Sequence, residues 1–176
     1  MDYELDRSPY QTADSREQRL ASLFESCYPR IARYAYSRTG DRSESEDIAS
    51  EVFVRALQSI DTYQERGLPM EAWLFRIAHN LVVDQIRRRR RFERADESEP
   101  EPRDSDDPAR VAEQRILISG VKKAMGSLTQ EQQEVLSLRF FAGISSRETA
   151  AILNKSDGAI REMQRAALQK LRSLLA

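Results

Sequence analysis

The stretch DESEPEPRDSDDPAR, residues 96–110, constrains the fold of this 176-residue chain more than any other feature. It holds three prolines, no aromatic residue and almost nothing apolar, so it cannot bury enough surface to offset the entropy of ordering it. Residues 92–110 are therefore expected to form a flexible acidic linker. It leaves about 90 residues on one side and about 65 on the other, each enough for a small helical domain. No alternating β-branched run and no Asn-Gly turn marks a strand anywhere. The expected fold class is all-α: two small helical domains, 17–91 and 111–176, joined by the linker and preceded by a tail, 1–16.

Charge is sorted along the chain. The net charge of −1 argues against a protein that binds nucleic acid unaided, because such proteins carry a basic excess. The average conceals an unbroken run, Arg87 to Arg91, followed between Phe92 and Arg110 by eight acidic residues (Glu93, Asp96, Glu97, Glu99, Glu101, Asp104, Asp106 and Asp107) against three arginines. With 32% charged residues and no apolar run of membrane-spanning length, insertion in a membrane is not expected. The polar N-terminus lacks the apolar core of a signal peptide, which points to a cytoplasmic location. A single cysteine, Cys27, and a single histidine, His79, cannot build a disulfide or the common structural zinc sites. No cofactor or metal is expected. Without a glycine-rich phosphate loop, a nucleophile elbow or a carboxylate pair singled out by spacing, neither is enzymatic activity.

Hydrophobic periodicity places the helices. Leu20, Phe24, Cys27, Ile31, Tyr34 and Ala35 recur at helical spacing as a core-facing stripe, within which Pro29 starts a second helix or kinks a single one. Thr39-Gly40-Asp41 ends this element. Ser43 and Glu46 have the spacing of a capping box for a second helix whose Ile48, Val52, Ala56 and Leu57 share a face, with Glu44, Asp47 and Glu51 on another. After the loop DTYQERGLP, a third helix is predicted from about 70 to 91, burying Trp73, Leu74, Ile77, Leu81 and Val82 and exposing Arg76, Asn80, Asp84 and Arg87. Beyond the linker, a helix is predicted from Val111 to Met125, another from the Thr129 cap to about Phe140, a short one from Ser145 or Ser146 to Leu153, and a last one capped by Ser156.

The final pair, joined at Asn154-Lys155, has the form of a helix-turn-helix. Ala150 permits close approach, and Ile152, Ile160 and Leu168 are the expected glue. In that geometry the second helix offers Ser156, Asp157, Ala159, Arg161, Glu162 and Arg165 to a DNA major groove; a plain helical hairpin with solvated arginines is the alternative. The arginine run suits either a phosphate-binding surface or a solvated helix end. Tyr63, Trp73 and Phe75 suit stacking on unpaired bases, although Trp73 at helical spacing is favoured as core. The face of Glu44, Asp47 and Glu51 is a solvated surface or a dock for a basic partner.

Taken together, SESEDIASEVFVRAL, PMEAWLFRIAHNLVVDQIRRRRR and LTQEQQEVLSLRFFAGISSRETAAILNKSDGAIREMQRAALQKLR resemble the extracytoplasmic-function group of the sigma-70 family, over nearly the whole chain outside tail and linker. The resemblance implies a sigma factor whose 17–91 domain grips core RNA polymerase and captures a melted −10 element, while 111–176 reads the −35 element as duplex. It implies docking on the β′ clamp through Asp47 and Glu51, with Val52 and Phe53 beside them, and a second contact at the β flap. Ser50 stands where many members have glutamine. The loop from Asp61 to Leu68 matches the segment that pockets a flipped −10 base, with Tyr63, Glu65 and Arg66 as its side chains. Arg76, Asn80 and Arg87 match positions along the non-template strand, and Arg88 and Arg90 add phosphate contacts. Met163 and Ala166 stand where the family often has arginine, which leaves Arg161 and Arg165 for −35 contact. The acidic linker resembles those that thread the RNA exit path, and an anti-sigma protein is a further implied partner. The competing readings are a stand-alone helix-turn-helix regulator and an interaction protein that never touches DNA.

Overall fold

The structure is a computed structural model that describes residues 9–64, 67–95 and 120–175. Those residues are helical or in short connections, with no strand among them. Helix α1 runs Pro9–Thr39, α2 Arg42–Gln58 and α3 Met70–Ala95, with a 3-10 turn at Ile60–Thr62. In the C-terminal half α4 covers 120–126 and α5 Gln130–Leu136, continuing as a π-helical turn over Ser137–Phe141. Helices α6, Ser146–Leu153, and α7, Asp157–Leu175, complete the chain. The expected linker and the first part of the helix predicted from Val111 lie largely outside the described residues, and α3 continues to Ala95, past its predicted end.

Pro29 lies inside one continuous α1. Proline removes an N–H and crowds the preceding turn, but Cys27 and Ile31 on either side are fully buried, and their burial holds the helix together across it. Gly40 reverses the chain at φ 70°, a conformation that costs glycine little. The cap of α2 is then Asp41, whose Oδ1 accepts from the Glu44 amide at 2.9 Å. The capping box expected of Ser43 and Glu46 does not form, because the chain has already entered the helix there; Glu46 pairs with Arg42 instead.

The expected stripes are buried at their centres and shifted at their edges. Leu20, Cys27, Ile31, Tyr34, Ala35, Ile48, Val52, Ala56, Leu74 and Val82 are core. Phe24 is half-exposed on a rim, against Phe53 at 4.8 Å between ring centroids. Leu57 sits one residue past the buried Ala56 and is turned outward, and Leu168 sits one past the buried Ala167 with the same result. Ala167, not Leu168, packs against Leu128 and Leu136.

The principal core is shared by both halves: Leu138, Ala142, Ile144 and Ile152 join the cluster built from α1, α2 and α3. The π turn makes this possible. It closes with the Ala142 amide on the Ser137 carbonyl at 3.0 Å, followed by Ile144 on Leu138 at 2.9 Å. The extra residue per turn directs Leu138 and Ala142 inward together, while Phe140 and Phe141 remain exposed. A smaller cluster of Val135, Ala150 and Ile160 holds α5, α6 and α7 to one another.

Candidate nucleic-acid and protein interfaces

A cleft of about 360 Å³ opens at the start of α3, lined by Tyr63, Trp73, Arg76 and the backbone about Gly67 and Leu68, with Ala151 of α6 closing one side. Tyr63 and Trp73 lie 4.9 Å apart between centroids. Tyr63 is buried and donates its hydroxyl to the Leu68 carbonyl at 3.2 Å, which fixes the loop's return. Trp73 is half-buried against the core, so it serves as core and as cleft wall at once. Phe75 is fully buried and stacks on nothing from solvent; its face carries the Arg30 guanidinium at 5.3 Å. Glu65 and Arg66 lie outside the described residues.

Along α3, Arg76, Asn80, Arg87, Arg88 and Arg90 are exposed. The arginine run is not uniform, however. Arg89, indistinguishable from its neighbours by sequence pattern, donates to the Thr39 carbonyl at 2.8 Å and to Glu44 at 2.5 Å. It staples α3 to the α1–α2 corner and takes Glu44 out of the acidic face. Arg76 is also engaged, donating to the Ala151 carbonyl at 2.9 Å, and Arg90 reaches the side-chain amide of Gln130.

The remaining acidic face borders a second cleft, of about 240 Å³, between α2 and α3, where Asp47, Glu51 and Arg55 meet Asp84 and Arg88. Asp47 is exposed. Glu51 accepts from Arg55 at 2.8 Å with both groups about half in solvent, a pairing worth little and easily exchanged for another partner. Val52 is fully buried, so it supports the face from beneath. Phe53 is half-buried beside Phe24 and Tyr28, which sets an aromatic rim next to the acids. Ser50 turns its hydroxyl onto the Glu46 carbonyl at 3.0 Å.

The helix-turn-helix forms with tight local control. Ser145 and Glu148 cap α6 reciprocally, and Asn154 turns the chain in the left-handed region at φ 57°. Ser156 accepts from the Ala159 amide at 3.2 Å to start α7. Arg161 pairs with Asp157 at 2.7 Å and Arg165 with Glu162 at 3.3 Å. These arginines, Ser156 and Glu162 stand in solvent, whereas Asp157 and Ala159 are partly covered, Asp157 also accepting from Ser146 at 2.6 Å. The exposed N-terminal half of α7 has the shape that enters a major groove.

Sequence reasoning missed the cluster around Glu134. This side chain on α5 is buried, and its carboxylate accepts from the Tyr34 hydroxyl, from Arg38 Nε at 2.9 Å, and from His79 Nδ1 at 2.9 Å when that nitrogen carries the proton. Burial alone would raise the Glu134 carboxyl. The His79 hydrogen bond, the Arg38 and His79 charges and the Tyr34 hydrogen bond together outweigh it and hold the carboxyl below its ordinary range. Tyr34, enclosed and facing that carboxylate, is pushed well above the usual tyrosine value and stays neutral. No His, Cys, Asp and Glu grouping among the described residues has the form of a metal site, and no helix there is long and apolar enough to cross a membrane.

Residues 23–92 match the family described as Sigma-70 region 2, and residues 124–173 match Sigma-70, region 4. The chain is 36% identical over 157 residues to the ECF RNA polymerase sigma factor BldN of Streptomyces coelicolor, a match covering 87% of this chain and 59% of that protein. It is 34% identical over 179 residues to the ECF RNA polymerase sigma factor ShbA of Streptomyces griseus, covering 94% of this chain and 92% of that one. Among solved structures it is similar to CnrH, whose structure is in complex with the cytosolic domain of CnrY, at 26% identity and a TM-score of 0.69 over 95% of this chain and 94% of that chain.

Proposed function

The chain belongs to the sigma-70 family, in its extracytoplasmic-function group, and from that premise we propose that it binds core RNA polymerase and directs initiation at promoters carrying −35 and −10 elements. Sigma factors are transcription initiation factors, not enzymes. The observation that supports the reading is the order of two surfaces suited to nucleic acid: an aromatic cleft with an arginine stripe at α3, and an exposed helix-turn-helix in the second domain.

In this reading the Tyr63–Trp73 cleft takes a flipped −10 base. Extruding a base costs a few kcal/mol, recovered by stacking and edge hydrogen bonds. Asn80, Arg87 and Arg88, with Arg76 and Arg90 once they are released, follow the single strand. Ser156, Asp157, Ala159, Arg161, Glu162 and Arg165 face the −35 duplex. Asp47 and Glu51, flanked by Phe53, meet the β′ clamp, where an acidic face with an apolar rim suits a basic partner, and the C-terminal domain meets the β flap. An anti-sigma partner is proposed from the family resemblance, and the complex of CnrH with the cytosolic domain of CnrY shows that a similar structure holds a second protein. The near-neutral charge of the chain agrees with DNA binding that occurs only in holoenzyme, where polymerase supplies most phosphate affinity.

Run-off transcription with purified bacterial core polymerase on a promoter library tests this. Defined start sites that appear only with this protein, sharing −35 and −10 elements, are the expected result. No such transcripts, together with tight binding to duplex DNA by the protein alone, would identify a stand-alone regulator instead.

A further inference from the structure

Glu134 is buried at the boundary between the two domains, and every one of its hydrogen-bond partners named above, Tyr34, Arg38 and His79, comes from the first domain. A carboxylate in that position meets these partners only while the domains are together, and meets water otherwise. Around it the contact is extended by Arg38 on Gln133 at 2.7 Å and by Arg30 on the Ala142 carbonyl at 2.8 Å. At the far edge Arg76 is spent on the Ala151 carbonyl, and Ala151 forms one wall of the Trp73 cleft.

We propose that Glu134 is an interdomain latch: held by Tyr34, Arg38 and His79, it keeps the C-terminal domain seated on α1 and α3, occupying Arg76 and covering one side of the Tyr63–Trp73 cleft, both of which are freed when it releases. The choice of a charged group suits release. A well-packed apolar side chain of similar volume in the same place would often hold as firmly or more so. A carboxylate loses its hydration on closing and regains it on opening, so it makes the closed arrangement specific without making it permanent. That the uncovered surface takes a −10 base rests on the sigma reading; the latch itself does not.

Trp73 is the only tryptophan of the chain and lines the cleft, so it reports opening directly. Acrylamide quenching of Trp73 and the radius of gyration from solution scattering are measured on the full chain, wild type against Glu134→Ala and Glu134→Gln, with helicity followed by circular dichroism. Removing one partner of a buried ionic contact should shift the closing equilibrium toward the open form by at least about tenfold, seen as stronger quenching and a larger radius with helicity retained. Unchanged quenching and radius in both variants would overturn the latch. So would loss of helicity in both, since a latch carboxylate that meets water in the open chain is not needed to fold either domain. Both readouts are independent of polymerase, so a negative run-off assay would count against the sigma reading alone.

Discussion

Replacing Tyr34 with phenylalanine isolates one bond of the interdomain network. The ring is fully buried and packs edge-on to Phe75 at 6.3 Å and 75°, contacts that phenylalanine preserves. What is lost is the hydroxyl's donation to the Glu134 carboxylate, together with its longer contact of 3.4 Å to His79 Nδ1 within the first domain. Hydrogen bonds to charged groups contribute about 1.5–3 kcal/mol. Arg38 and His79 remain to hold the carboxylate, which places the expected cost in the lower part of that range, about 1.5–2 kcal/mol. For a chain of this size that corresponds to a melting temperature lower by about 3–8 °C. The principal core draws on both domains, so a single transition is expected in circular dichroism or urea unfolding. The decisive comparison is a double-mutant cycle with Glu134→Ala: once the acceptor is gone, Tyr34→Phe should cost less than about 0.5 kcal/mol. An equal cost in both backgrounds would refute the reasoning, because the hydroxyl would then owe its value to something other than Glu134.

Lysine at both Asp47 and Glu51 should abolish retention on immobilised core polymerase. It should leave stability nearly unchanged, since the ion pair it breaks among the described residues, Glu51 with Arg55, is a solvated one; retained binding would remove these residues from the docking face. Ser145→Ala should cost α6 about 1 kcal/mol. A helix of eight residues is too short to persist without its cap and packing, so its amides should exchange faster with deuterium, while Ser145→Asp should not accelerate them; indifference to alanine would mean the cap contributes nothing. Finally, closing lowers the carboxyl of Glu134, which faces Tyr34 and Arg38 on α1 and His79 on α3. Its contribution to the closed form is therefore complete above the ordinary value of 4.5 and disappears as pH falls through the lowered one. Trp73 quenching should rise on acidification into that window in the wild type and stay level in Glu134→Gln; parallel curves would exclude this carboxylate as the titrating group.

What the sequence discloses and what it conceals divide along a physical line. The caps at Thr129, Ser156 and one of Ser145 and Ser146 are local, with donor, acceptor and helix start within three residues, so spacing points to them; at Ser43 and Glu46 the same spacing misleads because Asp41 has already started the helix. The centres of the buried stripes are legible for the same reason, because a helix repeats its face whatever it packs against. Stripe edges are not. Leu57 and Leu168 each lie one residue, about 100° of helical rotation, from a buried alanine, and the neighbouring element decides which of the two faces inward. The arginine run shows the limit more sharply. Five identical side chains carry no internal pattern, and only the position of the Thr39 carbonyl and Glu44 makes Arg89 a staple while Arg87, Arg88 and Arg91 stay in solvent. Least visible is the contact between the domains. Tyr34, Arg38 and His79 stand 100, 96 and 55 residues from Glu134, on the far side of a segment whose composition argues for two separate bodies. In the string QEQQEVL, Glu134 differs from Glu131 only by its place beside Val135 and Leu136. A carboxylate on the apolar side of a short amphipathic helix is the one local irregularity that announces it. A buried charge has to be met by a partner, so such an irregularity in one domain signals a cation or hydroxyl waiting in another.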